Sequence, residues 1–171
     1  TNNKLRYKID NRKFNKIKGQ KIISVKRRSK YLLIILNRGF TILAHLGMTG
    51  KFFIIDKNNK RKKTSFYYSI KKDESKHDHL TLVLNKGIKL IYNDVRKFGF
   101  LKLFKSKSII ISNHLKHLGP EPLTKDFNLN YVIKYIINKK KKIKDILMDQ
   151  KFVSGLGNIY CNEILFSSKI N

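Results

Sequence analysis

Near residue 120 the spacing of apolar residues changes period, and that change restricts the chain to strands first and helices second. From residue 21 to 104, short apolar runs alternate with turn signals. Candidate strands are 21–26, 31–36, 41–45, 51–55, 65–70, 80–84, 88–92 and 100–104. Asn37-Arg38-Gly39 and Asn85-Lys86-Gly87 read as hairpin connections between such runs. This spacing predicts an antiparallel β-sandwich or barrel-like domain. His117-Leu118-Gly119-Pro120-Glu121-Pro122 holds both prolines of the chain and reads as a stiff linker. Beyond it Leu129, Val132, Ile133, Ile136 and Ile137 follow helical spacing, with Asp126 the expected cap. A second helix should carry Ile143, Ile146 and Leu147. A third should start near Asn158 and bury Ile159, Ile164 and Leu165 or Phe166. Residues 1–20 read as polar and irregular. The expected class is therefore α+β, with a β-sandwich over 1–117, a linker over 118–124 and a helical domain over 125–171.

Charge narrows the function. Thirty-nine basic residues face eleven acidic ones, a net charge of +28. Such a field attracts a polyanion. A hydrophobic content of 41% separates the chain from disordered polycations. Many of these lysines read equally well as solvated residues in a sequence loaded with Lys, Ile and Asn. Arginine is the more informative base, because its planar fork does what an ammonium cannot, and the chain has seven. No apolar run approaches the ~20 residues needed to span a bilayer. The first twenty residues lack the apolar stretch of a signal peptide. One cysteine, Cys161, excludes an internal disulfide or a cysteine-based zinc site within this sequence. A reducing, cytoplasmic setting is expected.

Four segments occur in order: Arg27-Arg28-Ser29-Lys30-Tyr31-Leu32-Leu33, His45-Leu46-Gly47-Met48-Thr49-Gly50, Asp94-Val95-Arg96-Lys97-Phe98-Gly99 and Gly155-Leu156-Gly157-Asn158-Ile159-Tyr160. Each is weak alone. Together they resemble the signature blocks of formamidopyrimidine-DNA glycosylases, with support from His77-Asp78-His79 and from residues 118–123. The resemblance runs from about residue 19 to 171. It implies a sandwich followed by a helix–two-turn–helix domain. It also implies base-excision repair of oxidised purines in duplex DNA, by base flipping, N-glycosidic cleavage and β-elimination at the abasic site.

Candidate residues follow from these blocks, each with a plainer reading beside it. Met48 between two glycines is either a core-plugging loop residue or a wedge pushed between base pairs. A flipped base leaves a hole to fill. The resemblance gives that task to Met48, Arg96 and Phe98 together, with Arg96 on the orphaned cytosine. Spacing Arg-x-Phe on an extended segment would put both side chains on one face. Lys30 is either a solvated strand end or, by resemblance, a phosphate contact and the proton donor for β-elimination. His45 and His77 match positions that touch the DNA backbone. His77 and His79 on a strand could also bind metal, but no acidic or thiol partner of ligand-like spacing accompanies them, so no metal is expected. Gly155 and Gly157 lie in a turn before a helix, where backbone N–H groups can meet an anion. That turn is equally an ordinary helix–helix connection. Resemblance places Asn158 and Lys139 on phosphates, with Lys140, Lys141, Lys142 and Lys144 nearby. Glu163 reads as a brace for the turn and Cys161 as a small packing residue.

The family's nucleophile is an N-terminal proline that attacks C1′ to form a Schiff base, within an opening Pro-Glu-Leu-Pro-Glu. This sequence opens Thr1-Asn2-Asn3. An N-terminal threonine can itself be a nucleophile; an incomplete record of a longer enzyme is the expectation preferred. No cofactor is expected within this chain, and the one zinc ion of the family belongs to a C-terminal zinc finger whose cysteines it lacks. The fragment alone should bind DNA weakly and cleave nothing. Damaged double-stranded DNA is the expected partner, a monomer the expected state and a membrane excluded. Two alternatives stay open: an endonuclease VIII-type glycosylase of oxidised pyrimidines, and a non-catalytic basic nucleic-acid binder.

Overall fold

The computed structural model describes residues 5–65 and 74–170. The chain divides into two compact units. One takes residues up to Lys26 and from Tyr31 to Ser106; the other takes Arg27–Lys30 and everything from Lys107 onward.

The first unit is built on β1 (Ile22–Arg28, whose last two residues belong by contact to the other unit), β2 (Tyr31–Leu36), β3 (Phe40–His45), β4 (Gly50–Ile55), β5 (Arg61–Lys63), β6 (Asp78–Val83), β7 (Lys89–Asp94) and β8 (Phe100–Lys105). They form two four-stranded sheets of order β1-β2-β3-β8 and β5-β4-β7-β6. The observed registers are antiparallel, for example Leu33 opposite Leu43 and Phe52 opposite Tyr92. Strand alternation sends every second residue inward. Ile34, Leu36, Ile42, Ala44 and Leu101 of the first sheet share one buried cluster with Phe52, Leu80 and Tyr92 of the second. Burying each large side chain contributes roughly 1.5–3 kcal/mol. The expected sandwich is thus present.

Two details differ from expectation. The opening stretch is not merely polar and irregular, because Leu5, Ile9 and Phe14 join the sandwich core. A short helix, α1 (Asn11–Asn15), holds Phe14 there, and Asp10 caps it by accepting from Lys13 N at 3.1 Å. Three apolar residues spaced among charges carry no readable period. The all-basic strand β5 also escaped notice. It forms because Arg61 lies 3.9 Å over the Phe53 ring and makes two bonds, of 3.0 and 2.8 Å, to the Asp78 carboxylate. The expected strand 65–70 lies, beyond Ser65, outside the described residues.

The second unit contains α2 (Leu129–Ile136), α3 (Ile143–Met148) and α4 (Asn158–Ser167). Asn128 caps α2, not Asp126, by accepting from Tyr131 N at 3.0 Å. Ile146, Phe152, Val153, Leu156 and Cys161 form its buried centre, with Phe127, Tyr131 and Tyr135 packed around them. Phe152 lies between rings, 4.5 Å from Tyr135 and stacked at 5.8 Å on Tyr131. On α4 the expected burial fails: Ile159 is 76% and Phe166 83% exposed, Ile164 is exposed and Leu165 half-buried, while Cys161 is fully buried. The apolar residues of α4 are spread around its circumference, so its small cysteine alone fits the close approach to the turn. Burial pushes the Cys161 thiol up, against the pull of Lys30 and Lys144, so it stays a neutral packing group.

The proline segment is built into this unit rather than spanning free. Gly119 N donates to Gln150 O at 2.9 Å, and a Cβ on Gly119 would collide with the carbonyl oxygens of Lys151 and Phe152. Among the described residues no helix is long and apolar enough to cross a membrane.

Candidate nucleic-acid interface

In the sandwich unit, the β3–β4 and β7–β8 connections are locked to each other by glycines and one acid. Gly47 sits at φ +60°, and a Cβ there would stand 2.9 Å from Gly99 N and 3.0 Å from the Phe98 carbonyl carbon. Only glycine combines this φ with so close an approach. Gly50 N closes the turn onto Leu46 O at 2.7 Å. The turn leaves Met48 at its tip, 72% exposed. Met48 is therefore not a core plug.

Asp94, fully buried at the end of β7, ties the two connections together. Its carboxylate accepts from Thr49 Oγ1 at 2.5 Å, from Gly99 N at 2.8 Å and from Tyr92 OH at 3.3 Å. Burial, and then the Asp94 charge, push the Tyr92 phenol far above its ordinary value, so it remains a donor. Thr49 Oγ1 in turn accepts from Arg96 N at 3.0 Å. Arg96 and Phe98 do meet, but not through an extended segment. Lys97 between them takes a left-handed φ of +62°, and the Arg96 guanidinium comes to lie 4.8 Å over the Phe98 ring. Phe98 is 44% exposed. The result is a cation–ring pair on the connection that packs against the Met48 turn through Gly47, a surface suited to stacking on another planar group. His45 adjoins the turn: its Nδ1 accepts from Gly47 N at 3.2 Å and its ring stacks on Phe100 at 5.6 Å.

The second unit carries a different arrangement. Ser29, at φ +55° and 4% exposed, forms the β1–β2 corner. Its N–H donates to Glu121 Oε1 at 2.7 Å. Arg27 Nη2 reaches Glu121 Oε2 at 2.6 Å. Arg28 donates to Glu121 Oε1 at 3.3 Å, Ser154 Oγ at 2.8 Å and Gly119 O at 2.8 Å. Burial alone would raise the Glu121 carboxyl; the Ser29 N–H and the two guanidiniums outweigh it and hold the group below the usual range. Gln150 braces the following turn, accepting from Gly155 N at 2.9 Å and donating to Leu156 O at 2.9 Å. Gly155 sits at φ +102°. Gly157 caps α4 without a side chain, and the first intrahelical donor is Cys161 N to Gly157 O. The N–H groups of Asn158, Ile159 and Tyr160 thus have no acceptor in the helix, leaving the positive end of its dipole open to an anion. A Cβ on Gly157 would stand 3.4 Å from Lys30 Nζ, so the exposed Lys30 and this turn are neighbours.

Other expected residues are placed less closely. Lys139 is exposed and rests 4.5 Å over the Tyr135 ring. Lys140, Lys141, Lys142 and Lys144 are exposed. Glu163 is exposed on α4; the side chain bonded to the turn is Gln150, and Glu121 acts on it through Arg28 and Ser154, neither of which sequence reasoning singled out. His77 ends a 3₁₀ turn (Glu74–His77) and is half-buried, whereas His79 lies on β6, fully buried, with Nε2 2.8 Å from Asp94 O. The two histidines therefore do not share a strand. Among the described residues no three His, Cys, Asp or Glu side chains group as metal ligands would.

Comparison with known proteins fits this geometry. Residues 1–101 match the formamidopyrimidine-DNA glycosylase N-terminal domain, and residues 118–171 match the formamidopyrimidine-DNA glycosylase H2TH domain. The formamidopyrimidine-DNA glycosylase of Proteus mirabilis is 44% identical over 169 residues, covering 99% of this chain and 56% of that protein. The one from Rhodopseudomonas palustris is 36% identical over 167 residues, covering 98% of this chain and 57% of its own length. The chain thus spans little more than half of these relatives. Lactococcus lactis Fpg in complex with abasic-site DNA superimposes with a TM-score of 0.75 at 34% identity, over 92% of this chain and 53% of that one. The same enzyme in complex with FAPY-dG-containing DNA also gives 0.75 at 34%, over 92% and 54%. Two domain matches in the right order, and relatives aligned along nearly all of its length, show that the chain belongs to the formamidopyrimidine-DNA glycosylase family.

Proposed function

We propose that this chain grips damaged duplex DNA as part of a bifunctional glycosylase and abasic-site lyase that removes oxidised purines such as 8-oxoguanine. The observation that carries the reading is the locked pair of connections presenting exposed Met48 beside the Arg96–Phe98 stack. Extruding a base costs a few kcal/mol, and the vacated space needs an apolar wedge and a stacking surface. Met48 supplies the wedge, Phe98 the stacking face, and Arg96 donors for the orphaned cytosine. The open N–H groups at Asn158, together with Gly155, Gly157 and Lys30, receive backbone phosphate near the lesion. His45, His77 and Lys139 add contacts along the backbone. Lys30, beside that phosphate grip, is the group to deliver a proton during β-elimination. Relatives bound to abasic-site and FAPY-dG DNA support the substrate class.

The test compares Met48→Ala with the unmodified whole protein on two duplexes, one holding 8-oxoguanine and one a preformed abasic site. Excision should fall far more than abasic-site cleavage, because the abasic substrate has no base to unstack. Equal losses on both would remove the wedge. A duplex carrying an oxidised pyrimidine serves as a third arm; faster excision there than of 8-oxoguanine would move the protein to the pyrimidine-directed class.

A further inference from the structure

The wedge and the stack stand on separate connections, yet insertion into one gap requires them to move together. We propose that Thr49 and Asp94 are positioning residues that couple Met48 to Arg96 and Phe98, so that gap filling is a single event. The proposal rests on the functional reading above.

The coupling is a hydrogen-bond chain of fixed direction. Thr49 donates its only hydroxyl proton to Asp94 Oδ1 at 2.5 Å. Its lone pair is thereby turned toward Arg96 N–H at 3.0 Å. Thr49 directly follows Met48, and Arg96 carries the guanidinium that stacks on Phe98, so one hydroxyl spans the two functional segments. Asp94 is fully buried and fixed by two further donors, Gly99 N at 2.8 Å and Tyr92 OH at 3.3 Å. An acceptor this constrained cannot rotate to follow Thr49, so Thr49 must follow it. The close approach of Gly47 to Gly99 and Phe98 leaves the two backbones little independent freedom. Neither Thr49 nor Asp94 is asked to touch DNA.

The experiment measures affinity for an abasic-site duplex relative to the intact duplex of the same sequence, with 2-aminopurine opposite the gap reporting stacking. The unmodified protein, Thr49→Val and Thr49→Ser are compared, each checked for a cooperative thermal transition. Valine keeps the shape and removes the hydroxyl; serine restores the hydroxyl without the methyl. The affinity ratio should drop about 5–10-fold in Thr49→Val, the size of losing one or two hydrogen bonds, and should recover in Thr49→Ser. In Thr49→Val, Met48→Ala and Phe98→Ala should also become additive, whereas in the unmodified protein they should not. An unchanged ratio in Thr49→Val, or equal loss in both variants, overturns the coupling. No preference of the unmodified protein for the abasic-site duplex overturns the functional reading instead.

Discussion

Replacing Glu121 with glutamine should destabilise the helical unit by about 2 kcal/mol at neutral pH, and that difference should vanish in acid. Glu121 gathers three donors: Ser29 N at 2.7 Å, Arg27 at 2.6 Å and Arg28 at 3.3 Å. The Arg27 side chain is 63% exposed and water replaces much of its interaction, so that pair contributes ~0–1 kcal/mol. Arg28 keeps Ser154 and Gly119 as partners after the change, so it is not orphaned. The loss is then the difference between charged and neutral acceptors at two part-buried sites, ~1 kcal/mol each, for a total near 2 kcal/mol. In a chain of this length that corresponds to a fall of roughly 4–8 °C in Tm. The sign with pH follows from linkage. The Glu121 carboxyl is held below its ordinary value of 4.5 in the folded state. Its stabilisation is therefore fully present above the unfolded value and fades as pH falls through the folded one. Thermal unfolding followed by circular dichroism at pH 7 and again near pH 3 gives the four values needed. A Tm difference below about 1 °C at pH 7, or one that persists undiminished in acid, would refute the carboxylate as the keystone of this corner.

Two further outcomes test the interface. Arg96→Ala should weaken the preference for cytosine opposite the lesion, measured as relative excision from duplexes differing only in that base; unchanged selectivity removes its assigned contact. Asn158→Ala, which removes the side-chain amide and leaves the backbone N–H in place, should lower DNA affinity by ~1.5–3 kcal/mol, the range of a hydrogen bond to a charged group, by the same amount for every sequence tried. A base-dependent loss there contradicts phosphate anchoring.

Much of the frame is legible before any coordinates. Short apolar runs bounded by turn residues mark β2, β3, β7 and β8, and the two glycine-ended hairpins fall where Asn37 and Asn85 place them. The period fails where packing is made by other means. Phe14 reaches the core from one short helix, and β5 is held by a guanidinium on a ring rather than by apolar alternation. On α4 the pattern misled, since the fully buried residue is Cys161 while Ile159, Ile164 and Phe166 face outward and Leu165 is only half-buried. At the candidate site the projecting residues were readable and their supports were not. Met48, Arg96 and Phe98 stand out by type, but Thr49, Asp94, Glu121 and Gln150 act through hydrogen bonds to residues distant in sequence. One signal was present: with eleven acids among thirty-nine bases, each aspartate or glutamate beside a motif invites the question of which donors it holds.

The corner at Arg27–Lys30 belongs by its contacts to the unit that otherwise begins at Lys107. No single cut of the polypeptide can therefore release the helical portion intact. A fragment started at Lys107 would carry Glu121 stripped of the three donors that occupy it, and Gly157 without the lysine beside it. During synthesis the same dependence runs forward: Ser29 leaves the ribosome 92 residues ahead of the carboxylate that receives its amide. A minimal version of this helical portion would need the hairpin corner grafted onto it, not merely a well-chosen start.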